Sequence, residues 1–179
     1  MLQWEDINTY DKLKVWIENT DNIHEKNNDG WNALHFICFY DPSIECISLL
    51  LENGIDINEK VNNGWNALHF ICCFNPSIEY ISLLLESGIN IHEKDNYGWN
   101  ALHYICRKNP SIEYISLLLK NGINIHEKNN KNETPFDLIT KDKEEYKNLI
   151  KEIRKKRLDV IYNQTKLIND ICWIITDYI

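Results

Sequence analysis

The sequence predicts an all-α solenoid of stacked helix-turn-helix units joined by short β-hairpin loops. Three observations predict it. Gly30-Trp31-Asn32-Ala33-Leu34-His35 returns as Gly64 to His69 and again as Gly98 to His103, at a period of 34 residues. Each copy is broken in its middle by Asp41-Pro42, Asn75-Pro76 or Asn109-Pro110, and near its end by Gly54, Gly88 or Gly122. Between the breaks, apolar residues recur at helical spacing. One such unit cannot bury its own apolar face, so neighbours must stack to complete a continuous core.

The elements follow in chain order. Residues 1–22 match only the second helix of the pattern and read as an N-terminal capping half-repeat, with Tyr10, Leu13, Trp16 and Ile17 as its apolar face. Full repeats occupy 23–56, 57–90 and 91–124. A degraded copy fills 125–156, with Asn132-Glu133-Thr134-Pro135-Phe136-Asp137 in place of the glycine-tryptophan segment and a charged last helix over 141–156. Residues 157–179 form a helical tail.

Within a repeat, the first helix starts near Asn32, Asn66 or Asn100, and Asn is a good N-cap. Its Ala-Leu-His-(Phe/Tyr)-Ile-Cys stretch is apolar almost all round, which predicts burial. Proline opens the second helix in its first turn, where no backbone N–H is needed. Ile44, Ile47, Leu50 and Leu51 share one face of that helix. The glycines stop it in a left-handed conformation. Ile55 to Lys60 reads as an extended hairpin arm with a polar tip.

Composition excludes several functions. No apolar run approaches the roughly 20 residues needed to cross a bilayer. The first residues have neither a basic start nor an apolar core, so no secretory signal is expected. The expected compartment is intracellular and cytoplasmic, with the nucleus as the second option. A net charge of −8 argues against a broad nucleic-acid surface. The run Arg154-Lys155-Lys156-Arg157 reads as a solvated helix end. Six cysteines read as reduced, since Cys38, Cys72 and Cys106 recur inside apolar helices where free cysteine acts as a small hydrophobe. His35, His69 and His103 stand one turn from these cysteines, but zinc needs further ligands in a tetrahedral array. A catalytic Cys/His pair would be made once, not three times. The chain is read as a non-enzyme with no cofactor, no metal and no small-molecule substrate.

The repeat resembles the ankyrin repeat. The family's Thr-Pro-Leu-His-x-Ala core corresponds here to Asn-Ala-Leu-His-Phe-Ile-Cys, and to Thr134-Pro135-Phe136-Asp137 in the last copy. Asn121-Gly122-Ile123-Asn124-Ile125 is similar to the family's Gly-Ala-Asp-Val-Asn ending. The resemblance covers residues 8–156. The period is one residue longer than usual, with the extra residue in the proline turn. The resemblance implies a non-catalytic scaffold that binds another protein on a concave face made of hairpin tips and first helices. It also implies that the repeated histidines tie hairpin backbone between repeats.

Comparison of the copies indicates binding residues. Residues 62–90 and 96–124 differ only at 63/97, 70/104, 73/107, 74/108, 86/120 and 87/121. Across all three copies, a different residue stands each time at Asp29/Asn63/Tyr97, Phe39/Cys73/Arg107 and Tyr40/Phe74/Lys108. The resemblance places these on the concave side, where the variation reads either as adaptation to an irregular ligand or as drift on a solvated face. Phe39, Tyr40, Phe74 and Tyr97 are aromatic, a type enriched among interface anchors. Trp31, Trp65 and Trp99 form a row at a position that is solvent-facing in the family, with Lys26, Lys60 and Lys94 nearby. This row reads either as a binding stripe or as structural stacking. Tyr97, Trp99, Arg107 and Lys108 form the richest patch; Trp31, Phe39 and Tyr40 form a second, more apolar one.

The final segment, Leu167 to Ile179, is similar to the start of an F-box, with Ile168 where that motif has proline. Poxvirus ankyrin proteins carry such a segment, which recruits a ubiquitin ligase through its adaptor. The tail therefore reads as a helix capping the last repeat or, in a viral-type protein of this kind, as the ligase contact of a substrate adaptor.

Overall fold

The computed structural model describes residues 9–140 together with 144, 146–149, 151, 152 and 155. Met1–Thr140 form one compact unit and Lys141–Ile179 a second. In the second, the described residues are helical and Lys147 pairs with Glu144 at 3.0 Å. The expected tail over 157–179, its F-box-like end and most of the basic run lie outside the described residues.

The first unit contains α1 (Tyr10–Asn19), α2 (Ala33–Tyr40), α3 (Ile44–Glu52), α4 (Ala67–Phe74), α5 (Ile78–Glu86), α6 (Ala101–Lys108), α7 (Ile112–Lys120) and a 3-10 helix (Pro135–Leu138). They build two layers. First helices pack in the order α2, α4, α6 and the 3-10 helix, and second helices in the order α1, α3, α5 and α7. The core between them holds Leu34, Ile37, Ile47, Leu50 and their equivalents, with Leu13 and Trp16 of α1 joining it.

Local chemistry explains the helix starts. Asn32, Asn66 and Asn100 each accept the backbone N–H of the histidine three residues on, and that histidine's ring accepts the asparagine N–H in return. This is a reciprocal capping box with histidine in the usual glutamate place. Asparagine and histidine therefore repeat as a pair. In the second helices the cap is serine, not proline. Ser43 accepts from Cys46 N–H, Ser77 from Glu79 and Tyr80, and Ser111 from Glu113. The prolines lie one residue earlier, outside the helix, because a hydroxyl can satisfy an orphan amide and a proline ring cannot. This shift leaves Ile44 exposed in the first turn, and Cys46 enters the core in its place. Tyr10 is likewise exposed rather than buried on α1.

Helix ends follow the glycine expectation. Gly54 has φ +86°; its N–H donates to Leu51 O and that of Ile55 to Leu50 O, a Schellman motif. The loops do not follow the hairpin expectation. Among the described residues there is no strand. Each tip is closed by one bond across it, such as Val61 N–H to Trp65 O at 2.9 Å, over a turn in which Gly64 N–H donates to Val61 O at 2.8 Å. A ladder needs a second rung, and the chain turns away before making one. No described helix is long and apolar enough to cross a membrane.

Candidate functional site

Residues that are the same in every copy are used between repeats. The histidine rings show this most directly. Their Nδ1 atoms accept from the N-cap amides at 3.1–3.2 Å. Nε2 must then carry the proton and donate to the carbonyls of Glu59, Trp99 and Glu133 at 3.0, 3.2 and 3.3 Å. Burial pushes the His35 and His69 pKa values down to about 4 and lowers that of His103. The cysteines one turn away are silent chemically. Burial raises the thiol pKa of Cys38 and Cys72, and pushes that of Cys106 up to about 12. A thiol that does not ionise is neither nucleophile nor ligand. Among the described residues no group of His, Cys, Asp and Glu could hold a metal ion.

Two further rows tie the loops together. The side-chain N–H of Asn62, Asn96 and Asn130 donates to the backbone carbonyl of residues 28, 62 and 96 at 2.9–3.0 Å. Their backbone N–H groups donate to Asp29, Asn63 and Tyr97 carbonyls at 3.0 Å. Each tip is thus clipped to the next. Lys26, Lys60 and Lys94 pair with Glu59, Glu93 and Glu127, one repeat on. The hydrogen bonds from Lys60 and Lys94 hold the Glu93 and Glu127 carboxyls below the usual range. Lys60 and Lys94, read from sequence as flanking a binding stripe, therefore have an internal use. So do the tryptophans, which do not stack on one another. Phe70 and Tyr104 stand between them, with ring centroids 4.6 Å for Trp31–Phe70, 5.1 Å for Phe70–Trp65, 4.5 Å for Trp65–Tyr104 and 5.0 Å for Tyr104–Trp99. Each tryptophan is half-buried in this interleaved stack, and such pairs contribute about 0.5–1.5 kcal/mol beyond area burial.

Sequence reasoning missed one polar contact. The Tyr104 hydroxyl donates to Asp95 Oδ2 at 2.5 Å, and Asp95 Oδ1 accepts the N–H groups of Tyr97 and Trp99. Asp95 is buried. The preceding repeat has Val61 and Phe70 at these places, so the two changes occur together. A comparison of copies from residue 62 onward stops one position short of that signal. Tyr104→Phe strands a buried carboxylate oxygen and is expected to cost about 1–3 kcal/mol. In an Asp95→Asn background, where the same change recreates the Asn27/Phe36 pair of the first repeat, it should cost less than half as much. Urea denaturation of the four variants measures the coupling, and strictly additive costs would refute it.

Residues that differ between copies lie elsewhere. Tyr97 at a tip is 67% exposed, and Tyr40 and Phe74 at first-helix ends are 64% and 49% exposed. Phe39 is half-buried and joins them, with its ring 4.6 Å from Tyr40, 4.7 Å from Phe74 and 5.4 Å from Trp31. Arg107 and Lys108 are exposed at the end of α6 and form no ion pair among the described residues.

A family model described as ankyrin repeats in three copies matches residues 4–95. A second, described as an ankyrin repeat, matches residues 97–127. No curated protein matches the chain.

Proposed function

The chain belongs to the ankyrin-repeat family, and from that premise we propose that it is a non-catalytic scaffold that binds another protein through the face formed by its loop tips and first-helix ends. Ankyrin repeats are generally protein-interaction modules. One observation carries the assignment to this face. Side chains common to all copies (Asn32, His35, Lys60, Asn62, Trp65 and their equivalents) are engaged between or within repeats, whereas Tyr40, Phe74, Tyr97, Arg107 and Lys108 differ between copies and stand exposed. Residues without packing duty are free to adapt to an irregular partner. The half-buried tryptophans would add an apolar floor to that face rather than free-standing anchors.

Affinity capture from the host cell names a partner, and substitution then tests the face. Tyr97→Ala with Arg107→Ala is expected to weaken binding by about 2 kcal/mol or more, the usual cost of losing hot-spot residues. Ser82→Ala with Glu86→Ala on α5 should leave it unchanged. If both pairs bind like the parent, or both weaken equally, the assignment to this face is wrong. The ubiquitin-ligase adaptor reading rests on residues 167–179 alone. They lie outside the described residues, and neither family match reaches them.

A further inference from the structure

The ends of the three first helices form a row whose chemistry changes in one direction. α2 ends in Phe39-Tyr40, α4 in Cys73-Phe74 and α6 in Arg107-Lys108. At the first two, aromatic rings are contiguous: Phe39 lies against both Tyr40 and Phe74. The third is basic in a chain whose net charge is −8. Other cations of the same repeats do not blur this gradient, because Lys26, Lys60 and Lys94 are paired with Glu59, Glu93 and Glu127, and Lys120 ends α7 in the second-helix layer, outside the row.

Resting on the binding face proposed above, we infer that the occupant is an extended segment of another protein with a fixed polarity. It carries an aromatic or large aliphatic side chain over Phe39, Tyr40 and Phe74, and carboxylates over Arg107 and Lys108. Packed helices lie about 8–10 Å apart, so α2 to α6 spans roughly 16–20 Å, and an extended chain covers that in about five to six residues at about 3.3 Å each. The anchor sits between α2 and α4, roughly 12–15 Å from α6, so it and the carboxylates are about four to five residues apart. A nucleic acid does not fit this row, since two cations at one end of an acidic chain cannot track a phosphate backbone.

A displayed library of random linear peptides, long enough to cross the row, is selected on the full chain. Enriched peptides should share an apolar residue and an acidic pair at that separation. Affinity for a synthetic copy of the best one should fall with added salt. Arg107→Ala with Lys108→Ala should weaken it about tenfold or more and flatten the salt dependence. Both residues are exposed, so circular dichroism should show the variant folded. Peptides that need Tyr40 and Phe74 but show no acidic preference would overturn the polarity and leave the binding face standing. Peptides indifferent to substitution of all four residues, or no enrichment at all, would overturn both.

Discussion

Acidification from pH 6.5 to 5 is expected to remove about 2 kcal/mol of stability for each of His35 and His69, with His103 adding to the loss. Their rings are buried as the neutral tautomer that accepts at Nδ1 and donates at Nε2, an arrangement that protonation destroys because imidazolium has no acceptor. The folded pKa of His35 and His69, about 4, lies below the unfolded value of 6.5. The unfolded chain therefore binds more protons between these limits. Stability is fully present above pH 6.5 and falls as the pH drops toward 4. The loss is large against the 5–15 kcal/mol typical of a whole domain. Glu93 and Glu127, held below the usual carboxylate range by their lysine hydrogen bonds, weaken the fold only at lower pH still. Urea midpoints taken between pH 7 and 5 thus isolate the histidines. His69→Gln should be less stable than the parent at pH 7 but show a shallower pH slope. A parent whose midpoint stays flat across this range would contradict the account.

These histidines also show what was legible in the sequence. The resemblance implies their ties between repeats, but the capping box that joins each histidine to its asparagine emerges only from the hydrogen bonds. Asn32 and its equivalents were legible as N-caps because capping is a local device. The glycine helix ends were legible for the same reason. The serine caps were hidden by the prolines beside them, since both residues signal a helix start and only the hydrogen bonds decide. The loops were misread as hairpins because polar tips look alike whether or not a second rung forms. What lies between repeats was harder. The partner of Lys60 is Glu93, and the ring between Trp65 and Trp99 is Tyr104 from the later repeat. Sequence showed each row but not what stands between its members. The signal was present all the same: lysine, glutamate and asparagine rows share one period with the tryptophans, as expected of neighbours locked in register. Failure to repeat is an incomplete guide to the exposed residues: Tyr40, Phe74, Tyr97, Arg107 and Lys108 differ between copies and stand exposed, but Phe39 and Asp95 also differ and are packed or bonded inside the array.

The tip clips make the largest single-residue prediction. Gly64 and Gly88 share φ +87°, so alanine at either meets the same left-handed strain, about 1–2 kcal/mol. Their surroundings differ. A Cβ on Gly88 would meet nothing within 4 Å, whereas one on Gly64 would lie 2.9 Å from Asn96 N and 3.0 Å from Asp95 Cα. Those atoms are backbone and cannot swing aside as a side chain would. The next tip must shift, and with it go the bonds from Asn96 to the carbonyls of Asn63 and Asn62, at about 1 kcal/mol each. Gly88→Ala is expected to cost about 1–2 kcal/mol and Gly64→Ala about 3–4 kcal/mol in urea denaturation. In a solenoid each unit is held by its neighbours, so Gly64→Ala should also loosen the contact between the second and third repeats. Hydrogen exchange would then speed up at the Asn96 amide in Gly64→Ala but not in Gly88→Ala. Equal costs for the two substitutions would mean that the tips are not clipped together in solution.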